Sequence, residues 1–531
     1  MLSLFAGCFV MRREKRQVRI LLILFFFCLL LSALAGRLFY LQIIKGDQYA
    51  VEAAAQRTGT YVYASGRGQI LDRDGFSLHT QIADSSDTAL HKLAPYNIPS
   101  DLLTKLNIKE EIRYHTDSLA SHVTGYIQRP RQPMRAQEGL AGLERSFNAE
   151  LWGTPSAIGV ILDARRKMVP GLGINQWQYQ HYRRPYSVQT TIDRKLQECV
   201  ETTGEKLIEK GAVVLLDPQS GDVLTLASFP RLPVELLYRG ATKQELEAVE
   251  VNNPYLNRAI MQYPTGSVFK VIVAATALEE KLSEPEEPFH CHGAYVVGDR
   301  SIRCYGGVKH GVLNLQQALA VSCNGYFVNL AERLGKEKIL NMARRFKLGQ
   351  ITKLPLGNEM AGNIPSASEL PYPGDLANTA IGQGLVAATP VQLARMMAII
   401  VNDGRDIYPR LVTRLIDKNG NTVQNFPVQY GTNVVSFSVA RKLQAMLKTV
   451  VTQGSAQAAF SNLYMAAGKS GTAETGREGI SHSWFAGFVE INRHKLVAVV
   501  FLEEWRGNQA TASRIFGQIM TQIAQLYLEN E

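Results

Sequence analysis

The sequence contains little cysteine, with only six residues in 531. Cys8 and Cys28 fall within the hydrophobic N-terminal part, so four cysteines remain for the rest of the chain. A dense framework of disulfide bonds therefore cannot hold this fold together. Internal repeats and low-complexity tracts are also absent. A hydrophobic content of 46%, with 43 glycines and 21 prolines, is typical of a globular chain rather than a disordered or collagen-like one.

Dense basic patches, the feature typical of nucleic-acid-binding proteins, are scarce as well. The net charge is +10, but five cations between residues 12 and 19, opposed only by Glu14, account for four of those charges. No second basic block follows, which argues against a nucleic-acid partner. The remaining positive charge suits an anionic surface or substrate.

One long hydrophobic run directly follows these cations. Residues 20–36 carry no charge, and after Arg37 the mostly apolar stretch continues to residue 44. A membrane-spanning helix needs about 20 mostly apolar residues, and an arginine near its end can extend to the lipid headgroups. A cleaved signal peptide ending near residues 32–35 is the alternative, but the apolar run continues past that point. The pattern favours a retained anchor at residues 20–44.

The cations in front of the anchor predict its orientation. Positively charged flanks stay in the cytoplasm, so residues 1–19 are expected to form a cytoplasmic tail. The chain after about residue 45 is then extracytoplasmic, and the protein is a single-pass protein of the cell membrane. Met1 and Met11 are both candidate start residues.

The region after the anchor, residues 45–190, is polar and rich in turn signals. It contains short strand-like runs, which predict an elongated, β-rich domain. Residues 67–75 and 139–144 combine charges with glycines, a pattern that is also typical of solvated loops.

Residues 191–531 combine strands at both ends with helices between them. The N-terminal end has a predicted helix at 193–210 and a hairpin of two strand runs, 212–216 and 223–227. The remaining predicted elements are helical stretches at 268–282, 315–346, 389–402 and 438–453, strands at 483–491 and 495–503, and a helix at 513–528. This order predicts a large α+β domain.

Ser267 and Lys270 are the first candidate catalytic residues, at the start of a helix that is apolar on every side. Such a helix is buried, and residues at i and i+3 share one of its faces. A desolvated lysine has a lowered pKa and can take the proton of a serine hydroxyl, which activates the serine as a nucleophile. The helix N-terminus also supplies backbone N–H groups where an oxyanion would form. The alternative is a capping serine beside a lysine that extends to solvent.

Ser322 and Asn324 form a second candidate pair, which follows the apolar residues 319–321. Ser-x-Asn alone carries little weight, because residues 146–148 fit it too. Its value lies in its position, 55 residues after Ser267 and 147 residues before Lys469.

Lys469, Ser470, Gly471 and Thr472 form the third candidate element. A strand edge that bears a cation, two hydroxyls and a glycine can bind the carboxylate of an extended peptide. Three such motifs in this order rarely occur by chance.

In this combination the sequence resembles the serine acyltransferases that bind penicillin. The specific resemblance is to class B high-molecular-weight penicillin-binding proteins, the penicillin-binding protein 2 and FtsI-like group of peptidoglycan D,D-transpeptidases. It covers nearly the whole chain after residue 11. Besides the three motifs and the anchor, it includes residues 67–75, 142–144, 191–197, 382–384 and 388–394. The resemblance implies a pedestal domain of the dimerisation type at 45–190. It also implies a transpeptidase domain at 191–531, an antiparallel sheet flanked by helices as in serine β-lactamases.

The resemblance also implies residue roles. Ser267 would be the acylated nucleophile and Lys270 its general base. Ser322 would relay a proton to the leaving amine, and Asn324 would bind the backbone amide of the substrate.

For the third element, the same resemblance implies that Lys469 polarises the site. The hydroxyls of Ser470 and Thr472 would hold the terminal carboxylate beside Gly471. The backbone N–H groups of Ser267 and Thr472 would form the oxyanion hole.

The implied reaction cross-links peptidoglycan stem peptides through an acyl-enzyme on Ser267, without a metal or a diffusible cofactor. β-Lactam antibiotics would acylate the same serine. The family also implies a polytopic membrane glycosyltransferase as a partner. Three other functions use the same motifs, namely a β-lactam sensor, an inactive scaffold and a β-lactamase. Residues 337–341 fit a pattern of the class A lactamase deacylating loop, but they read better as part of a helix.

The cysteines beside these motifs leave three states open. A hairpin turning near residues 297–299 would place Cys291 and Cys304 nearly opposite each other. Free thiols are the first expectation, a disulfide the second, and zinc bound with His290, His292 and His310 the third, since the spacing fits no standard zinc finger. Cys323, between Ser322 and Asn324, is expected to be a small buried residue.

Overall fold

The computed structural model describes residues 23–45, 49, 58–64, 66–79, 81–84, 109–115, 118–127, 137–153, 156–161, 174–177, 184–282, 288–507 and 511–529. The expected cytoplasmic tail and the first three residues of the expected anchor lie outside this part of the chain. The mixed α+β architecture predicted from the sequence is confirmed.

The hydrophobic run forms a single exposed helix, Ile23–Ile44, of 22 residues. At a rise of about 1.5 Å per residue, a helix of this length matches the ~30 Å hydrocarbon core of a bilayer. It is the one helix in the described part of the chain that is long and apolar enough to cross a membrane. The Arg37 guanidinium lies over the ring of Tyr40, 5.5 Å from its centroid.

Between the anchor and residue 191, the residues that the structure describes are β-rich, as expected. Its strands are β1 (Thr58–Ala64), β2 (Ile70–Leu71), β3 (Gln81–Asp84), β4 (Lys109–Ile112), β5 (Ser156–Ile161), β6 (Ile174–Trp177) and β7 (Ser187–Thr190). β5 pairs with both β1 and β6 in an antiparallel sheet, and β3 pairs with β4. Three short helices accompany them, Ser121–Thr124, Gly142–Ser146 and Asn148–Leu151.

Two segments with the composition of solvated loops each contribute buried charged residues instead, Arg67 and Asp72 from the first and Glu144 from the second. Glu144 is fully buried, and its carboxylate accepts hydrogen bonds from Arg67 Nε at 2.6 Å, Arg113 Nε at 2.8 Å and the Tyr114 hydroxyl at 3.1 Å. His79 Nε2 lies 3.3 Å from the same carboxylate. Burial raises the pKa of Glu144, but Arg113, His79 and Arg67 outweigh it and hold the pKa well below its usual range. These five side chains, which we call the Glu144 cluster, join three chain segments.

The second part of the chain contains the remaining strands and the long helices. The strands are β8 (Gly211–Leu216), β9 (Val223–Phe229), β10 (Tyr263–Pro264), β11 (Phe289–Cys291), β12 (Ala294–Val297), β13 (Arg300–Arg303), β14 (Gly311–Leu313), β15 (Ala387–Ala388), β16 (Arg405–Ile407), β17 (Val412–Ile416), β18 (Thr422–Asn425), β19 (Tyr430–Asn433), β20 (Met465–Arg477), β21 (Ile480–Ile491) and β22 (His494–Arg506). The helices are Arg194–Leu207, Val234–Arg239, Lys243–Val249, Lys270–Glu279, Leu315–Ala320, Asn324–Leu334, Lys336–Arg345, Pro373–Ala380, Pro390–Val401, Phe437–Thr452 and Ala512–Glu529.

A five-stranded antiparallel sheet organises this part, in the order β20-β21-β22-β8-β9. The predicted hairpin is β8 and β9, and the two predicted C-terminal strands are β21 and β22. The strand β20 lies at one edge of the sheet, so one side of its backbone is open to a further strand. The helices Pro390–Val401 and Ala512–Glu529 pack against β21 and β22.

The two parts of the chain share strands and a core. β2 runs parallel to β7, and β7 pairs with β17 in a sheet of order β18-β17-β7-β2. Ile70 and Leu143 belong to the same hydrophobic cluster as the core of the five-stranded sheet. The segment at 67–75 is therefore packed against the larger domain.

The helix predicted at 193–210 is observed at Arg194–Leu207, where the Asp193 side chain caps the backbone N–H groups of Lys195 and Leu196. The stretch predicted as helical at 315–346 is three helices. The first break contains Ser322, with a positive φ of 58°, and the second contains Gly335, with a φ of 83°. Neither backbone conformation can continue a right-handed helix.

Candidate active site

Ser267 lies on a turn of 3-10 helix, Gly266–Phe269, that leads directly into the helix Lys270–Glu279. Every residue of that helix from Lys270 to Leu278 is buried, as the apolar sequence predicts. Gly266 has a φ of 52°, and a Cβ atom there would lie 2.4 Å from the carbonyl oxygen of Thr472. Only glycine therefore allows the Ser267 turn to approach β20 so closely.

Lys270 is fully buried, and its Nζ contacts both residues of the second motif. It donates to the carbonyl oxygen of Ser322 at 2.8 Å and to Asn324 Oδ1 at 2.6 Å, and it lies 3.2 Å from Ser322 Oγ. Among the described residues, the Ser267 hydroxyl makes no hydrogen bond to Lys270. Lys270 thus connects the two motifs, because it follows Ser267 on one helical segment and its Nζ contacts Ser322 and Asn324.

Burial lowers the pKa of Lys270 to about 7, even though nearby Cys323 and Cys304 act in the opposite direction. A lysine with such a pKa is largely neutral at slightly alkaline pH and can accept a proton. The arrangement therefore provides a general base one helical turn from the candidate nucleophile.

Ser322 adopts a left-handed conformation between two helices. Non-glycine residues held in such conformations cost about 1–3 kcal/mol and occur often at functional sites. Cys323 caps the following helix, because its Sγ accepts a hydrogen bond from the backbone N–H of Tyr326 at 3.5 Å. This turn holds both the carbonyl and the hydroxyl of Ser322 at Lys270.

Asn324 is held by partners on both sides of its amide. Its Oδ1 accepts from Lys270, and its Nδ2 donates to the carbonyl oxygen of Arg303 at 2.8 Å. One amide N–H and one acceptor position remain for a ligand. Binding of a substrate amide by Asn324 stays a prediction.

The third motif lies on the edge strand β20, as expected. Lys469 is fully buried and donates to the carbonyl oxygen of Ser470 at 2.9 Å. Burial, and then the charge of Lys270, lower the pKa of Lys469 well below its usual value. A Cβ at Gly471 would lie 2.9 Å from the carbonyl oxygen of Thr265, so this part of β20 packs against the Ser267 turn. Thr472 is exposed on the strand.

The structure therefore brings all three motifs together, with Lys270 touching the second and Gly471 and Thr472 lying against the Ser267 turn. Three further contacts were not foreseen from the motifs. Ser455 Oγ lies 3.1 Å from Ser470 Oγ, Gln383 contacts Thr472, and Trp484 Nε1 donates to the carbonyl oxygen of Pro264 at 2.9 Å. The motif Gly382-Gln383-Gly384 was the one sequence signal for any of them.

Cys291, Cys304, His310 and Cys323 form a largely buried cluster directly behind Ser322. The hairpin of β12 and β13 confirms the predicted turn, and Cys291 and Cys304 lie with their sulfur atoms 3.7 Å apart. Cys304 and Cys323 sulfur atoms are 3.8 Å apart, and all three cysteines are free. The hydrogen bond between the thiols of Cys304 and Cys323 lowers the pKa of Cys304 and raises the pKa of Cys323.

The donor atoms of these four side chains all lie within 4.8 Å of one another. Three sulfur atoms and one imidazole nitrogen are a donor set that suits tetrahedral Zn²⁺, with spacing unlike that of a finger. The sulfur atoms are too far apart for a disulfide bond of about 2.05 Å. The described cysteines form no disulfide, which contradicts the second state expected from the sequence, while free thiols and bound zinc stay predictions.

We expect all six cysteines of the full-length chain to react with a thiol reagent after denaturation without reductant. The cluster contributes three of these thiols, and zinc-bound thiolates would also be released by unfolding. A disulfide would lower the count to four, which would contradict the free-thiol arrangement. Zinc measured in the same sample, before and after dialysis against a chelator, reports whether the four donors hold a metal.

The fold and the site together define a class of protein. An α+β domain brings a partly exposed serine, a buried lysine and an edge strand together, the arrangement of a serine-type acyltransferase. The model of the penicillin-binding protein transpeptidase domain matches residues 211–521. The chain belongs to this family.

Characterised relatives cover most of the chain. Stage V sporulation protein D of Bacillus subtilis is 26% identical over 94% of this chain and 84% of its own length. The peptidoglycan D,D-transpeptidase MrdA of Acinetobacter baumannii is 25% identical over 91% of this chain and 84% of its own length. A chain in a solved peptidoglycan synthase complex, which coordinates polymerization and crosslinking, has a TM-score of 0.70 and 26% identity. The match spans 97% of this chain and 99% of the chain in the complex.

Proposed function

We propose that this protein is a peptidoglycan D,D-transpeptidase that cross-links stem peptides through an acyl-enzyme on Ser267 and is acylated by β-lactams at the same residue. The observation that carries the proposal is the position of Lys270. Its buried Nζ contacts Ser322 and Asn324 and lies on the helical segment that begins at Ser267. This geometry supports Lys270 as the base for Ser267 and Ser322 as the proton relay.

In the first step, Ser267 Oγ attacks the carbonyl carbon of the peptide bond between two D-alanine residues. The neutral Lys270 amine takes the serine proton as the C–O bond forms. The C–N bond then breaks, and a proton passes from Lys270 through the Ser322 hydroxyl to the departing nitrogen. D-Alanine leaves with that proton, and the acyl group remains on Ser267.

The edge strand supports the proposed oxyanion hole. In an extended strand, the N–H and the C=O of one residue point to the same side. The Thr472 carbonyl oxygen accepts a hydrogen bond from Gln383, away from β21, so the Thr472 N–H also faces the open edge. That edge meets the turn of Ser267, where the second proposed N–H donor lies.

In the second step, an amine from a neighbouring peptide attacks the ester carbonyl. Lys270, neutral again, accepts the proton of the incoming nitrogen and returns it to Ser267 Oγ as the ester C–O bond breaks, so Ser267 leaves as its hydroxyl. Lys469, Ser470 and Thr472 would hold the terminal carboxylate of the donor peptide during the first step. A β-lactam enters the same path, but its leaving group stays attached to the acyl chain and blocks the attacking amine.

The N-terminal helix fits a membrane protein whose catalytic domain works outside the cell. The basic residues before it predict a cytoplasmic tail, which is the basis for proposing an extracytoplasmic transpeptidase domain. The similar chain in a complex that coordinates polymerization and crosslinking supports a polytopic glycosyltransferase as partner. The pedestal at 45–190 and the anchor are the parts proposed to contact it.

A fluorescent penicillin tests this function with the full-length protein in detergent. We expect stable labelling of the wild type and no labelling of Ser267→Ala, because the hydroxyl forms the covalent bond. Ser438→Ala, an exposed serine on the helix Phe437–Thr452, is the matched control and should label normally. Rapid release of hydrolysed drug would support a β-lactamase instead, and a wild type that neither retains the label nor releases hydrolysed drug would exclude both enzyme functions.

A further inference from the structure

Gln383 occupies backbone hydrogen-bonding positions on the open edge of β20. Its Nε2 donates to the carbonyl oxygen of Thr472 at 3.3 Å, and its Oε1 accepts from the backbone N–H of Glu474 at 3.4 Å. One side-chain amide thus satisfies an outward C=O and an outward N–H two residues apart. A residue of an adjoining parallel strand makes the same pair of contacts.

The position of this contact matters because of where β20 meets the nucleophile. The carbonyl oxygen of Thr472 lies 2.4 Å from the place where a Cβ of Gly266 would be, one residue before Ser267. A peptide that adds to the open edge with its reactive carbonyl at Ser267 must pair with the backbone of Thr472. Gln383 therefore occupies the Thr472 carbonyl oxygen, a hydrogen-bond acceptor that an extended donor peptide would use.

The backbone of the loop that carries Gln383 is held on both sides, since the Gln383 N–H donates to the carbonyl oxygen of Asn378 at 2.9 Å and the carbonyl oxygen of Leu385 accepts from Asn363 Nδ2 at 2.7 Å. The carbonyl oxygen of Gly382 accepts from the backbone N–H of Gly266 at 2.8 Å, which ties the loop to the Ser267 turn. A Cβ at Gly382 would lie 1.9 Å from the carbonyl oxygen of Gly266, whereas Gly384 is exposed on the other side. The backbone of Gln383 is thus anchored while its side chain, held by two long hydrogen bonds, can leave β20.

We propose that Gln383 is a positioning residue that occupies the donor site of the free protein and gives up the Thr472 carbonyl to the N–H of the incoming peptide. In the free protein its side chain supplies hydrogen-bond partners to the backbone of β20. Only a ligand that replaces the hydrogen bond at Thr472 then binds strongly. The proposal rests on the proposed transpeptidase function, because that function places the donor peptide on the open edge of β20 beside Ser267.

The test compares Gln383→Met with the wild-type full-length protein, using a fluorescent penicillin whose acylamino N–H represents the peptide N–H. Methionine keeps the size and flexibility of the side chain but makes neither hydrogen bond. Acylation measured over a concentration series gives the dissociation constant before acylation and the acylation rate constant separately. We expect the dissociation constant to fall about threefold, because one weak competing hydrogen bond is removed, and the rate constant to change less than twofold.

Gln383→Ala should give the same lower dissociation constant, and Gln424→Ala, on the exposed strand β18, should give the wild-type value. An unchanged or higher dissociation constant in Gln383→Met would overturn the proposal and leave Gln383 as a clamp on β20. Failure of the proposed function has a different signature, since wild-type labelling would then be absent or would persist in Ser267→Ala.

Discussion

Replacing Lys270 by methionine is expected to slow acylation by a fluorescent penicillin by about 10²–10⁴-fold, the usual contribution of a positioned general base. Methionine suits this site because Lys270 is fully buried in an apolar helix, so the fold should be retained. The wild-type rate constant should rise with pH through about 7, the pKa to which burial lowers Lys270. The sign follows from the mechanism, since only the neutral amine can take the proton of Ser267. Stopped-flow acylation between pH 5.5 and 8.5 would measure both effects, the range being roughly 1.5 units on either side of that pKa.

Lys338→Met provides the matched control, because Lys338 is an exposed lysine that pairs with Glu280 on the surface. It should acylate at the wild-type rate. Lys469 is the other buried lysine of the site and could serve as an alternative base. A Lys270→Met protein that keeps the wild-type rate and the same pH midpoint would remove Lys270 from the role of base. Loss of the pH dependence only in Lys469→Met would assign that role to Lys469.

Replacing Glu144 by glutamine is expected to destabilise the protein by about 3–5 kcal/mol, the range for breaking a buried ion pair on one side. The change leaves Arg67 and Arg113 buried without their negative partner, although both keep hydrogen bonds to the backbone. The midpoint of thermal unfolding should fall by about 5 °C or more. Differential scanning fluorimetry at a fixed scan rate would measure it, because unfolding of a chain of this size is often irreversible.

Glu198→Gln is the control for this substitution. Glu198 is an exposed residue of the helix Arg194–Leu207, and surface changes of this kind usually alter stability by no more than about 0.5 kcal/mol. Adding Arg113→Met to Glu144→Gln should recover part of the loss, because one of the two uncompensated charges is then removed. Equal midpoints for Glu144→Gln and Glu198→Gln would show that the Glu144 cluster contributes little.

Much of the active site was predictable because local sequence controls it. The apolar residues after Lys270 require a buried helix, and a polar pair at its first turn is then conspicuous. The edge position of Lys469 to Thr472 was also expected, because a cation, two hydroxyls and a glycine on a strand edge suit the binding of a peptide carboxylate. The left-handed conformation of Ser322 was not, because residues 315–346 read as one helical stretch until the turn is seen.

The Glu144 cluster shows the opposite case. Arg67 and Glu144 lie 77 positions apart in the chain. Charges and glycines at either position are equally typical of solvated loops. The resemblance to a family drew attention to these residues, but it carried no information about their burial or their partners. The contact of Gln383 with Thr472 likewise joins distant segments.

The sequence by itself determined the composition of the protein's parts: one apolar helix preceded by cations, a β-rich region, an α+β domain and three motifs in a set order. These features depend on local periodicity, charge and spacing along the chain. Only the tertiary structure decided which residues meet. It placed Lys270 on Ser322 and Asn324, buried Glu144 among two arginines, brought three cysteines and a histidine together and set Gln383 on the open edge of β20. Such contacts depend on the packing of segments remote in sequence, where burial changes a pKa or pairs a charge in ways that composition cannot specify.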